Sequence, residues 1–218
     1  MDKVLEMLKK YLPDDVYCCE TPGVIHYFPN EQEMYEGGSA DGIHLLMDYV
    51  LKQYKVDRAE IVCFGNNLYG KEIVNLWENY PEVDIHLMVC SPTADIMNDY
   101  DKKILSEKIC SVIENGKTRV WATESPPTLR SCVLYSNGEP IFCCVQHYLL
   151  SMISEHITGF IGRQTPCIML YHSNDDCMLK HYVKYCEDEY NRLKGEDAYQ
   201  PIIKNNGEIG RLNEEIDQ

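Results

Sequence analysis

Residues 137–138, Asn-Gly, stand between two apolar runs, "RSCVLYS" and "EPIFCCV". Asn and Gly both tolerate positive φ, which a two-residue type I′ turn demands at its central positions. Such a turn forces the flanking runs into an antiparallel pair with one register. The expectation is a β-hairpin with strands near 129–136 and 140–146.

The rest of the chain alternates between two patterns. "AEIVCFGN" (59–66), "VDIHLMVCSP" (83–92), "RVWATES" (119–125) and "TPCIMLYH" (165–172) are short apolar runs, as buried strands are. "GVIHYFPN" (23–30) is a further strand that stops at Pro29. Between them lie stretches with apolar residues at helical spacing: 42–54, 69–81 and 93–116. The stretch 175–196 is a strongly amphipathic helix, with Met178, Tyr182, Val183, Cys186 and Tyr190 expected inward. Strands alternating with helices predict an α/β fold: a mostly parallel or mixed central sheet flanked by helices, with the hairpin as its antiparallel part. The expected organisation is an N-terminal helical segment at 1–22, one α/β domain at 23–196 and a polar C-terminal tail at 197–218.

Charge narrows the function classes. The 218 residues carry 20 Lys and Arg against 35 Asp and Glu, a formal net charge of −15. Such a surface repels a phosphate backbone, which argues against broad nucleic-acid binding. The N-terminal stretch lacks the long apolar core of a signal peptide, and no run reaches the length of a membrane span. The expected setting is the cytoplasm, with no membrane partner. The 11 cysteines form no Cys-x-x-Cys pair and read as small buried hydrophobes with reduced thiols.

The chemical motifs are sparse. "FGNNLYGKE" sets Gly65, Gly70 and Lys71 between a strand and a helix, but Glu72 stands where a phosphate loop needs a hydroxyl. It reads as a turn and cap. His172, Cys177, His181 and Cys186 match no closed zinc pattern, so no metal and no cofactor is expected. Cys132, Cys144 and His147 are the candidates for a cysteine- or histidine-based hydrolase or phosphodiesterase, without a recognisable nucleophile frame.

"AEIVCFGNNL", "VDIHLMVCSPTAD", "RVWATESPPTLRSCVLYSNGEPIF" and "GRQTPCIMLYH" followed by an amphipathic helix resemble, in order and phrasing, one half of the phospholipase D-like superfamily. The resemblance covers roughly residues 23–193 and is to stand-alone bacterial domains of that fold. In active members the hairpin carries His-x-Lys-x-x-x-x-Asp, where His attacks phosphorus, Lys neutralises the phosphate oxygens and Asp supports the site. Aligning Asn137-Gly138 with the family's Asp-Gly puts Arg130, Cys132 and Asn137 at the three positions. An arginine stays protonated and cannot attack. Cys132 supplies no positive charge and Asn137 no negative one.

The resemblance thus implies no catalytic residue. It implies a degenerate domain that binds, senses or regulates, with a protein partner or a second copy of itself. Arg119, Arg130 and Arg163 are the candidates for a surviving anion site. A second reading is an acidic inhibitor or adaptor, a phage-type antagonist of a nucleic-acid-handling complex. It would dock through Glu187, Asp188, Glu189, Glu196, Asp197, Glu214 and Glu215.

Overall fold

The computed structural model describes residues 16–18, 24–27, 41–64, 76, 78–90, 118–147, 167–171, 177–195, 197–203 and 209–211. Strands are β1 (Val16–Cys18), β2 (Val24–Tyr27), β3 (Arg58–Phe64), β4 (Asp84–Cys90), β5 (Thr118–Thr123), β6 (Leu129–Ser136), β7 (Glu139–His147), β8 (Cys167–Tyr171), β9 (Pro201–Ile203) and β10 (Ile209–Arg211). Two described helices accompany them, α1 (Asp41–Gln53) and α2 (Cys177–Gly195). Most of the helical stretches expected at 69–81 and 93–116 lie outside the described residues, as do the phosphate-loop-like segment and Arg163.

The fold is α/β, with a mixed sheet of eight strands ordered β1-β2-β8-β7-β6-β3-β4-β5. Parallel pairing joins β3 to β4 and β4 to β5. The remaining pairs are antiparallel. The antiparallel half therefore reaches well beyond the hairpin, because β8 and then β2 and β1 add to its outer strand. The hairpin itself is where the Asn-Gly step puts it. Asn137 has φ 52° and Gly138 φ 78°, the two positive values of a type I′ turn. Asp57 Oδ2 accepts the Asn137 N–H at 2.5 Å, which ties the turn to the start of β3.

Helix α2 crosses one face of this sheet. Leu179, Val183 and Cys186 pack on Leu129, Val133, Tyr135, Cys143 and Val145 of β6 and β7. One turn further, Tyr190 and Leu193 pack on Val62, Met88 and Cys90, with Trp121 against them. The buried stripe steps by four and three residues, as a helix face must. Met178, expected inward, is 40% exposed because it sits one position off that stripe. Cys132, Leu134, Phe142 and Cys144 point away from α2 and are fully buried on the second face. Helix α1 meets β7, and its Leu46, Met47, Val50 and Leu51 are buried.

Both ends of the chain correct the expected organisation. Within the N-terminal segment expected to be helical, residues 16–18 are a strand that pairs with β2. Within the expected polar tail, β9 and β10 form a two-stranded ribbon. Tyr199 also exchanges both backbone hydrogen bonds with Ala122, at 2.8 and 2.9 Å. The physical cause is the unpaired edge of β5, whose backbone groups gain partners from any extended segment that reaches them.

Candidate functional site

Strand β6 settles what Arg130 and Cys132 face. Residues two apart on a strand share a face, and these two project away from α2. Cys132 lies in register with Ile61 on one side and Cys144 on the other, and is fully buried. The Arg130 Nε is buried too. Its charge acts on Cys63, whose thiol burial nevertheless pushes up to about 12. Asn137 is exposed at the turn, seven residues beyond Arg130, so roughly 20 Å of strand separates them at ~3.3 Å per residue. Two of the three motif positions share a face, and the third belongs to the far end of the hairpin.

Nor are Arg119 and Arg130, the two described candidates for anion binding, brought together. Arg119 pairs across the sheet with His86, Glu60 and, in the same row, Val133. It therefore projects to the α2 face, whereas Arg130, an odd number of residues from Val133, projects to the other. The side chain of His147 and all of His172 lie outside the described residues. Cys177 is exposed while Cys186 is buried on the inner side of α2, so the two do not converge.

The α2 face holds a different polar assembly. Because α2 crosses diagonally, it leaves the first residues of β3, β4 and β5 without an apolar cover. Glu60, His86 and Arg119 form one row across these three parallel strands, and Arg58 and Asp84 form the next. Asp84 Oδ2 is 3.0 Å from His86 Nε2 and 3.1 Å from Arg119 Nη2. The carboxylate thus accepts from both and fixes the imidazole between them. The Arg58 guanidinium lies 3.8 Å from the ring centre of Tyr135, whose hydroxyl donates to Glu187 Oε1 at 3.0 Å. Lys194 Nζ sits 4.9 Å over the Trp121 ring. Side-chain exposure rises from 20% at His86 to 42% at Asp84 and 67% at Arg119, so the row opens toward β5.

Burial raises the Glu60 carboxyl above the ordinary carboxylate range, and the Glu187 charge adds to it, while Arg58 and Lys194 oppose. Burial likewise pushes the Tyr190 hydroxyl up to about 12, with Glu60 adding and Arg119 opposing. A carboxyl, an imidazole and a guanidinium side by side can hold a polar ligand and exchange a proton with it. A raised folded pKa means that ionising Glu60 costs stability. As pH falls through that raised value the native state takes the proton first, and stability rises. Glu60→Gln is therefore expected to melt higher than the wild type at neutral pH. The difference should vanish below about pH 4, where Glu60 is protonated in both folded and unfolded chains. Thermal melts at the two pH values check this.

No family model matches the sequence, and no curated protein matches it. Among solved structures it is similar to TrmBL2, described as an archaeal chromatin protein with a novel mode of DNA binding. The TM-score is 0.46 at 7% identity, over 87% of this chain and 59% of that one. The chain thus spans less than two thirds of that protein, and a likeness this distant decides nothing about activity or ligand.

The acidic residues of α2 divide. Glu187 turns to Tyr135, and Asp188 pairs with Lys184 at 2.8 Å. Glu189 is buried, accepting from Thr128 N–H at 2.6 Å and from Arg192 Nε and Nη2 at 2.8 Å each. Arg192 Nη2 also donates to the Pro126 carbonyl at 3.3 Å. This pair locks the 124–128 loop onto the helix. Two of the acidic residues through which the chain would dock as an inhibitor, Glu187 and Glu189, are thus engaged inside the fold. Glu196, Glu214 and Glu215 lie outside the described residues. The thiols proposed for catalysis, Cys132 and Cys144, are both fully buried. No described helix is long and apolar enough to cross a membrane.

Sequence reasoning missed the row because its members come from three separate runs and meet only through register. The signal was present. In each of three consecutive strands a charged or imidazole residue stands immediately before the continuous apolar stretch: Glu60, His86 and Arg119.

Proposed function

We propose that this chain is a non-catalytic module of phospholipase D-like type that binds or senses rather than turns over a phosphodiester. The observation that carries the reading is the complete burial of Cys132. In the hairpin frame this is the place for the lysine that neutralises phosphate oxygens, and an uncharged, buried thiol has no means to do so. Its binding surface is the row of Glu60, His86 and Arg119, with Asp84 beneath, which opens to solvent beside β5. The partner is a protein or a second copy of the chain. A net charge of −15 disfavours broad binding to nucleic acid.

The reading is tested with bis(4-nitrophenyl) phosphate as a generic phosphodiester. Wild type and Arg130→Ala are both expected to release nitrophenol no faster than a protein-free blank. Hydrolysis by the wild type that disappears in Arg130→Ala overturns the proposal.

A further inference from the structure

Two sulfur atoms from different layers of the fold lie against each other. Cys143 on β7 and Cys186 on α2 have their Sγ atoms 3.7 Å apart. Both are buried in the same apolar cluster, walled by Leu129, Val133, Val145 and Val183. A disulfide needs about 2.05 Å between sulfurs, so a gap of about 1.7 Å remains to be closed. Rotation about the two Cα–Cβ bonds is the least costly way to close it. Forty-three residues of chain separate the two thiols, so a bond between them would staple the helix to the sheet.

We propose that Cys143 and Cys186 are a redox-convertible pair, oxidised by a small peroxide to a disulfide that fastens α2 to β7. The electrons balance in two steps. The sulfur of Cys186 attacks one peroxide oxygen, the O–O bond breaks, and a sulfenic acid and one water result. The sulfur of Cys143 then attacks the sulfenic sulfur. The S–S bond forms, the S–O bond breaks, and the departing hydroxide takes the Cys143 proton as a second water. Two thiols and one hydrogen peroxide thus give one disulfide and two waters.

Burial and the hydrogen bond to Cys186 hold the Cys143 thiol protonated, which slows its attack until the departing hydroxide takes the proton. The same burial is expected to make the reaction slow, and exposed Cys177 is expected to react with alkylating reagents first. The link would hold in place the helix that frames the polar row, since Glu187, Tyr190 and Lys194 all belong to it. The pair stands on its own geometry and does not depend on the proposed function.

The test treats the folded full-length chain with hydrogen peroxide, then alkylates remaining thiols in denaturant and maps cysteine peptides by mass spectrometry. Fragment ions must distinguish Cys143 from Cys144. The expected product is a Cys143–Cys186 linked peptide about 2 Da lighter than the two thiol peptides together. The melting temperature should rise by several degrees and return on adding dithiothreitol. Cys143→Ser and Cys186→Ser should show neither change. The wild-type map decides the matter even where a serine variant folds poorly. Linkage of either cysteine to another thiol, sulfinic acid in place of a link, or a link that appears only in unfolded chain would overturn the proposal.

Discussion

Arg192→Met is expected to destabilise the chain by about 2–3 kcal/mol, less than the cost of breaking a fully buried ion pair because the Arg192 side chain is 36% exposed and water partly screens it. Glu189 would keep the Thr128 N–H but lose both hydrogen bonds from the guanidinium. In the wild type, burial pushes the Glu189 carboxyl up, but Arg192 and Thr128 outweigh it and hold it below the usual range. A depressed folded pKa contributes stability that is present above the unfolded value and lost as pH falls through the folded one. In Arg192→Met only Thr128 offsets the burial cost, so the variant loses less stability on acidification than the wild type does. Urea titrations at neutral pH and near pH 4 should show the gap narrowing. Adding Glu189→Gln to Arg192→Met should recover a large part of the loss at neutral pH, because an amide is far cheaper to bury than a lone carboxylate.

Phe142→Ala should cost more, on the order of 3–5 kcal/mol, for a different reason. Phe142 lies on the second face of the sheet, fully buried, in register between Leu134 of β6 and Tyr171 of β8. Paired strands on both sides fix the backbone there, so the neighbours cannot collapse into the space an alanine leaves. The deficit should be independent of pH between neutral and pH 4, since the described residues in register with it, Leu134 and its strand neighbours, carry no group that titrates in that range. Denaturant melts that show a pH-dependent Phe142→Ala deficit would contradict this picture of an apolar second face.

These two effects differ in how far they could be read without coordinates. For Phe142 the chain alone gives the hairpin but not the face. The Asn137-Gly138 turn sets Ser136 opposite Glu139 and Tyr135 opposite Pro140, but a register shift beyond Tyr135 brings Phe142 opposite Leu134 instead of Val133 and so turns it away from α2. The same local logic located β3, β4, β5 and α1 to within a residue or two, because continuous apolar runs and helical spacing are signals within a short window. Arg192 and Glu189 could not be placed. On the helix they are three apart and look like any exposed pair, and only the path of α2 over the sheet buries the carboxylate. The row of Glu60, His86 and Arg119 was hidden for a related reason. Parallel register is set by crossovers rather than by a tight turn, so no local feature aligns the three strands. The segments β1, β9 and β10 are three residues each, too short for any period to show.

The pairing of Tyr199 with Ala122 limits how a partner can engage this protein. Many modules capture an extended peptide by lengthening their sheet, matching backbone to backbone along an open border. A peptide seeking that mode beside β5 would find the donor and acceptor of Ala122 already satisfied, and the Tyr199 hydroxyl donating to Glu124 at 3.3 Å. On the proposed binding role, recognition beside β5 falls to the face of the sheet, where side chains rather than main chain do the reading. A ligand held there would be selected by charge and shape against Glu60, His86 and Arg119 rather than by the path of its own backbone.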